Sequence, residues 1–286
     1  MSNRLKVAVQ KSGRLLDDSL RLLKECGISI DNGRNQLKAS ARNFPIDVLY
    51  LRNGDIPQYV QDGVADIGII GQNTCIEKQK NIEEVLALGF SKCRLSIAVP
   101  RGVDYNGLQW LDGKRIATSY PNSLNAYLQE NGLEAEIHEI SGSVEIAPNI
   151  GLADAICDLV STGSTLFKNN LEEKEVMLRS QACIVKTNNL APAAQQILDK
   201  LVFRIESVLT ARKNQYLLMN APDESVNDII QLLPGMKSPT VMPLAEKGWS
   251  SIHTVISEDS FWEIIDSLKA KGAEGILIVP IQKMIL

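Results

Sequence analysis

Gly151-Leu152-Ala153-Asp154-Ala155-Ile156-Cys157-Asp158-Leu159-Val160 runs directly into Ser161-Thr162-Gly163-Ser164-Thr165. A glycine ends a helix through a left-handed turn, and the Ala-Asp that follows leads into an apolar run with the length of a buried strand. The strand stops at four hydroxyl residues around one glycine, just before a segment able to start a helix. Small side chains let backbone N–H groups approach a ligand closely, and a helix N-terminus adds a favourable dipole, a combination suited to a phosphate. Alone, such a cluster is most often a capped strand-to-helix turn. Here the approach to it occurs twice. Gly63-Val64-Ala65-Asp66-Ile67 carries the same Gly-x-Ala-Asp between a helical pattern and an apolar strand, and ends at Gly71-Gln72-Asn73-Thr74, which reads as a polar loop. The duplication predicts two related α/β lobes.

Around these two stretches, residues 5–9, 46–51, 67–70, 95–99, 115–117, 136–140 and 155–160 read as short strands, with helical patterns at 17–26, 56–61 and 123–131. Strands alternating with helices imply mostly parallel sheets whose ligands gather at the carboxyl ends of strands. The loops expected there are Gln10-Lys11-Ser12-Gly13-Arg14, Gly71–Thr74, Thr118-Ser119-Tyr120-Pro121 and Ser161–Thr165. All are small, polar or basic, as a cleft for an anionic metabolite requires.

The length of 286 residues allows two or three domains with substantial cores. A net charge of −4 and the absence of a broad basic stripe argue against nucleic-acid binding. The basic residues of interest are local ones at strand ends: Lys11, Arg14, Arg52 and Arg94. Five cysteines without CxxC spacing fit a reducing, cytoplasmic compartment, and Cys157 and Cys183 fall in apolar strands. The first residues resemble neither a signal peptide nor a membrane span. Two histidines, His138 and His253, make a histidine metal cluster an unfavoured reading.

From about residue 191 the pattern changes. Residues 191–213 form one long helical stretch with a single apolar face, Ile197, Leu198, Leu201, Ile205, Val208 and Leu209. Beyond it come a strand (216–219), a helix (226–233) closed by Pro234-Gly235, strands at 240–244 and 252–256, a helix at 261–271 and a last strand at 275–280. The order β-α-β-β-α-β is that of a ferredoxin-like split module.

Taken together, these segments resemble ATP phosphoribosyltransferase in its long form, over essentially the whole chain. The residues that carry the resemblance are Gln10–Arg14, Asp66-Ile67-Gly68-Ile69-Ile70-Gly71, Cys93-Arg94-Leu95-Ser96, Arg115-Ile116-Ala117-Thr118-Ser119-Tyr120-Pro121, Gly142-Ser143-Val144-Glu145-Ile146-Ala147-Pro148 and the long run from Gly151 to Gly163. Ser238-Pro239-Thr240 with Pro243-Leu244 is similar to the family's regulatory domain, and Ser164 stands where Ala is frequent. The resemblance implies an α/β fold with a two-lobed, periplasmic-binding-protein-like catalytic region and a C-terminal ferredoxin-like (βαββαβ) regulatory domain. The expected boundaries are 1–95 for lobe I with a return segment near 180–190, 96–180 for lobe II, 191–213 for a connecting helix and 214–286 for the regulatory domain.

The implied reaction is attack of adenine N1 of ATP on C1′ of phosphoribosyl pyrophosphate, with loss of pyrophosphate, assisted by Mg2+ bound largely through substrate oxygens and water. It is the first step of histidine biosynthesis. Ser161, Thr162, Gly163, Ser164 and Thr165 are expected to cradle the 5-phosphate. Asp158, Asp154 and Glu145 are the expected catalytic carboxylates, with Asp154 alternatively orienting its strand as Asp66 does. Lys11, Ser12, Gly13 and Arg14, with Arg52, Gly71 and Arg94, are expected to meet ATP or pyrophosphate. Tyr120 is read either as an adenine neighbour or as a core residue. No particular residue is assigned to the metal. The resemblance further implies feedback inhibition by histidine at the C-terminal domain, with Asn220, Met236, Thr240, Val255 and Gly275 as matching positions, and a homo-oligomer, a hexamer interconverting with a dimer. Two rivals share parts of the pattern: a two-lobed anion-binding regulatory protein, and prephenate dehydratase, whose Thr-Arg-Phe segment is missing here.

Overall fold

The computed structural model describes residues 4–31, 37–233 and 238–286. In chain order the first elements are β1 (Leu5–Gln10), α1 (Arg14–Glu25), β2 (Lys38–Ser40), β3 (Ile46–Leu51), α2 (Ile56–Gln61), β4 (Ile67–Gly71), α3 (Gln72–Lys78) and β5 (Ile82–Ala87). Next come β6 (Cys93–Pro100), β7 (Arg115–Thr118), α4 (Pro121–Glu130), β8 (Glu136–Glu139), β9 (Ala155–Val160), α5 (Ser164–Lys168), β10 (Leu171–Ser180) and β11 (Ala182–Thr187). The remainder is α6 (Pro192–Arg212), β12 (Asn214–Pro222), α7 (Val226–Leu232), β13 (Thr240–Pro243), β14 (Trp249–Ser257), α8 (Glu258–Ala270) and β15 (Glu274–Pro280). Two compact units emerge: Met1–Lys24 with Ile28–Leu198, and Glu25–Gly27 with Asp199–Leu286.

The first unit contains two sheets. One has the order β2-β3-β1-β4-β11-β5, with β1, β3 and β4 parallel. The other has the order β10-β6-β9-β7-β8, with β7, β8 and β9 parallel and β6 antiparallel to β9. The inner strands are buried on both faces. In the second sheet Leu95, Ile97, Ile116 and Cys157 pack into one core cluster, while Ala98, Ala117, Ile156 and Val160 pack into another. That is why β6 and β9 read as continuous apolar runs instead of alternating ones. The boundary expected at 95/96 falls inside β6, whose pairing with β9 already begins at Arg94.

The duplicated Gly-x-Ala-Asp forms the same corner in both sheets. Gly63 and Gly151 have φ of 68° and 75°, the left-handed turn that ends each preceding segment. Ala65 and Ala153 are buried beneath it. The aspartate then clamps the start of the neighbouring parallel strand. Lys6 N donates to Asp66 Oδ2 at 2.7 Å, and Arg115 N donates to Asp154 Oδ2 at 3.0 Å. Each aspartate's own N–H returns a bond to the same residue's carbonyl, at 3.0 and 2.8 Å.

Gln72-Asn73-Thr74, expected as a polar loop, is instead the first turn of α3. Its polar side chains are satisfied internally, which makes helix compatible with a loop-like composition. Asn73 N donates to Ser180 Oγ at 3.0 Å, Ser180 Oγ donates to Asn73 Oδ1 at 2.9 Å, and Asn53 Nδ2 donates to Thr74 Oγ1 at 3.0 Å.

The second unit carries an antiparallel sheet of order β13-β14-β12-β15. On one face Leu217, Met219, Ile252 and Ile256 pack with Ile229 of α7 and with Phe261 and Leu268 of α8. Element order and sheet order together are those of the ferredoxin-like module.

Candidate active site

The carboxyl ends of β7 and β9 and the start of β6 bring together most of the residues expected in lobe II. Glu145, Asp158 and Ser161 to Thr165 line one cavity of about 180 Å³. The loop turns at Gly163, whose φ of 79° is the left-handed conformation that a side chain strains. Inside it Thr162 Oγ1 donates to Ser164 Oγ at 3.1 Å. Among the described residues the backbone N–H groups of Thr162, Gly163 and Thr165 have no protein acceptor. A loop with unpaired amides and exposed hydroxyls offers what phosphate oxygens bind.

Asp158 faces this cavity from the last part of β9, and its Oδ1 accepts Leu159 N at 2.7 Å. Burial is the main cause that pushes its carboxyl above the usual range; the backbone bond opposes this, and the charge of nearby Glu145 adds to it. Two carboxylates held close together in a half-buried cavity favour a cation or a developing positive charge between them. Tyr120, at the start of α4, packs against the core of the second sheet, and its hydroxyl is pushed up first by burial and then by the charge of Asp158.

Asp154 does not belong to this cavity. It precedes β9 at the opposite end of the strand, about 13 Å away at the usual rise per residue. Its carboxylate is engaged by Arg115, with Nη2 at 2.9 Å from Oδ1 and Nε at 3.2 Å from Oδ2. Those hydrogen bonds hold its pKa below the ordinary value. Of the two roles expected for Asp154, these bonds favour the strand clamp, the part Asp66 plays against Lys6 in the other lobe.

Lys11, Ser12, Gly13 and Arg14 follow β1, Arg52 follows β3 and Gly71 ends β4, so all six lie at the carboxyl edge of the first sheet. Lys11 to Arg14 and Arg52 are exposed. Gly71 is required by packing, since a Cβ there would stand 2.4 Å from Asn73 Oδ1. Arg94, at the start of β6, already has partners: Nε and Nη2 form a two-point pair with Glu173, and Nη1 donates to Ser161 O at 3.1 Å.

Sequence reasoning missed two carboxylates here. Glu173 lies on β10, a strand whose charged composition hides its pairing. Glu77 of α3 is 4% exposed and accepts Asn122 N at 3.1 Å, Ser123 N at 2.9 Å and Ser123 Oγ at 2.7 Å. It thus links α3, beyond the first sheet, to the first turn of α4, beyond the second.

In the second unit Asn220, Thr240 and Val255 share the sheet face opposite the helices, by their register with Ser251, His253 and Tyr216. Thr240 and Val255 line a cavity of about 530 Å³ with Tyr216, His253 and the C-terminal Met284 to Leu286. Asn220 and Gly275 meet elsewhere: a Cβ on Gly275, whose φ is 56°, would stand 3.4 Å from Asn220 Nδ2. Met236 lies outside the described residues.

A family model described as ATP phosphoribosyltransferase matches residues 52–207, and a model of that family's C-terminal domain matches residues 211–283. An ATP phosphoribosyltransferase of Cytophaga hutchinsonii is 57% identical over 285 residues, covering 100% of both chains. Among solved structures, an ATP phosphoribosyl transferase complex from Thermotoga maritima aligns with a TM-score of 0.62 at 30% identity, over 72% of this chain and 98% of that one. The substrate binding protein of an amino acid ABC transporter aligns with a TM-score of 0.50 at 10% identity, over 73% of this chain and 94% of that one, a likeness of fold alone.

Proposed function

The chain belongs to the ATP phosphoribosyltransferase family, and from that membership we propose how its cleft divides the work of the reaction. The enzyme is a glycosyltransferase that joins adenine N1 of ATP to C1′ of phosphoribosyl pyrophosphate, releasing pyrophosphate, in the first step of histidine biosynthesis. The C-terminal domain is the family's feedback-regulatory domain. Neither the anion-binding-protein reading nor the dehydratase reading survives full-length identity of 57% to a transferase.

The observation that carries the site proposal is the cavity that unites the Ser161–Thr165 loop with Asp158 and Glu145. The loop holds the 5-phosphate through its free amides and hydroxyls. That places C1′ near the two carboxylates, which stabilise the positive charge growing there as pyrophosphate departs. Adenine N1 offers a lone pair and carries no proton, so attack requires no base. Lys11, Ser12, Gly13, Arg14, Arg52 and Gly71 receive ATP and pyrophosphate from the first sheet. Alignment of two bound reactants can contribute roughly 7–11 kcal/mol, so a protein nucleophile is unnecessary.

Among the described residues no group of three or more His, Cys, Asp and Glu is arranged to hold a metal ion. The mutual repulsion of Glu145 and Asp158 nevertheless fits Mg2+ carried in by the pyrophosphate, with these two as its protein-side partners directly or through water. The ion would neutralise charge on the leaving group. Histidine acts at the open sheet face through Asn220, Thr240 and Val255, with Met236 and Gly275 as further positions. The working assembly is a homo-oligomer, a hexamer interconverting with a dimer, in the cytoplasm. Among the described residues no helix is long and apolar enough to cross a membrane. Sedimentation with and without histidine tests the assembly.

The site is tested by following the absorbance of the N1-substituted adenine with both substrates and Mg2+. Asp158→Asn lowers kcat by about 100-fold or more. Asp154→Asn keeps kcat within about threefold and lowers the melting temperature, as loss of a strand clamp does. Wild-type kcat in Asp158→Asn would refute the assignment.

A further inference from the structure

Glu173 lies outside every recognised motif. Its carboxylate takes Nε–H and Nη2–H of Arg94 at two points, and Oε1 also accepts Ser96 Oγ at 2.7 Å. Ser96 is 1% exposed, so this end of the network is fixed in the core. In the strand register Arg94 faces Val160, Ser96 faces Asp158 and Ala98 faces Glu173. Arg94, Ser96, Asp158 and Glu173 therefore share one face of the second sheet.

A guanidinium is planar and rigid, so holding its Nε and Nη2 edge fixes the direction of Nη1. Nη1 donates to the carbonyl of Ser161 at 3.1 Å, the first residue of the phosphate loop. In a trans peptide the carbonyl and the following N–H point to opposite sides. Drawing Ser161 O towards Arg94 therefore turns Thr162 N–H the other way, out from the arginine. The hydrogen bond from Arg94 is also the main cause holding the Glu173 carboxyl below its usual pKa, which keeps the pair charged near neutral pH.

We propose that Glu173 is a positioning residue for the transfer reaction: through Arg94 it sets the Ser161–Thr162 peptide in the orientation that receives the 5-phosphate of phosphoribosyl pyrophosphate. The proposal rests on the reading of Ser161–Thr165 as the phosphate loop. It makes Arg94 a strut for the loop. The opposite arrangement, Arg94 as a direct phosphate ligand restrained by Glu173, predicts an effect of opposite sign.

The experiment is steady-state kinetics on full-length Glu173→Gln, with ribose 5-phosphate binding measured by calorimetry. Expected are a rise of about tenfold in KM for phosphoribosyl pyrophosphate, a matching loss of ribose 5-phosphate affinity and a KM for ATP within about twofold. If Glu173→Gln fails to fold, Ser96→Ala removes one bond from the same carboxylate and carries the same pattern at about two- to threefold. An unchanged or lowered KM for phosphoribosyl pyrophosphate overturns the proposal, because it is what a freed phosphate-binding arginine produces. A melting-temperature loss with both KM values raised alike also overturns it, leaving only a structural role. Gly163→Ala separates the underlying reading. If it raises KM for phosphoribosyl pyrophosphate while Glu173→Gln does not, only the Glu173 proposal falls; if it too leaves that KM unchanged, the loop reading falls and takes the proposal with it.

Discussion

Asp47 on β3 accepts Arg4 Nε at 2.7 Å, Lys38 Nζ at 2.8 Å and Ser40 Oγ at 2.8 Å. Burial alone would raise its pKa, but the bonds from Lys38, Ser40 and Arg4 outweigh it and bring the carboxyl down to about 2. A depressed carboxylate contributes stability that is present above its unfolded pKa and is lost as pH falls through the folded value. Asp47→Asn should therefore cost up to about 2 kcal/mol at neutral pH. The difference from wild type should shrink between roughly pH 4 and pH 2, read by urea unfolding as a function of pH. A gap that persists below pH 2 would show that the cost lies in packing instead. Gly71 makes a different single-residue point: its φ of −77° is ordinary, so only the closeness of Asn73 demands glycine. Because Asn73 Oδ1 is locked to Ser180, Gly71→Ala should destabilise by about 1–3 kcal/mol, whereas a free Asn73 would make it nearly neutral.

Helices α3 and α4 each follow a parallel strand at its carboxyl end, one in each sheet of the first unit, and Glu77 joins them. Its two oxygens receive three donors from the first turn of α4, where unpaired N–H groups and the helix dipole both favour a negative charge. Asn122 Nδ2 returns a bond to Glu77 O at 2.9 Å. Glu77→Gln replaces one acceptor with a donor facing donors. It should lower stability by about 2 kcal/mol, seen as a smaller urea midpoint with an unchanged m-value. A changed m-value would mean that the two sheets no longer unfold together. These connections explain where sequence reading succeeded and where it stopped. Strands β3 and β9 have the limits that their apolar runs predict, because burial leaves a local mark, and helix α2 has its predicted limits with one buried side, Ile56, Pro57 and Val60. Strand β10, Leu-Glu-Glu-Lys-Glu-Val-Met-Leu-Arg-Ser, is an edge strand with two register shifts, so no clean alternation marks it.

Each of the two units has its own core, and the second carries the family's C-terminal domain, where the proposed histidine site lies. A ligand that binds only the folded form stabilises it by roughly 2.7 kcal/mol at one hundred times its Kd. Trp249 and Trp262 belong to the second unit and Trp110 to the first. In a Trp110→Phe variant, histidine should raise the thermal transition reported by tryptophan fluorescence, and Thr240→Ala should reduce the shift. Inhibition by histidine without any shift would place its site outside the second unit. Because coupling is reciprocal, substrates that weaken histidine binding must be weakened by it to the same degree.

The amino-acid sequence by itself determined the lobes, the loop and the regulatory module. Glycine-terminated corners, strands buried on both faces and a hydroxyl–glycine loop are all encoded by near neighbours, which local pattern reveals. Only the tertiary structure decided which partners each acid meets. Asp154 and Asp158 lie on one short segment, and it is the parallel order of β7 and β9 that turns one towards Arg115 and the other towards the loop. Glu173 meets Arg94 across 79 residues of sequence, and Glu77 meets Ser123 across 46. Partners so distant leave no periodicity in the chain, because their pairing is set by sheet order and register, which exist only once the sheets have formed.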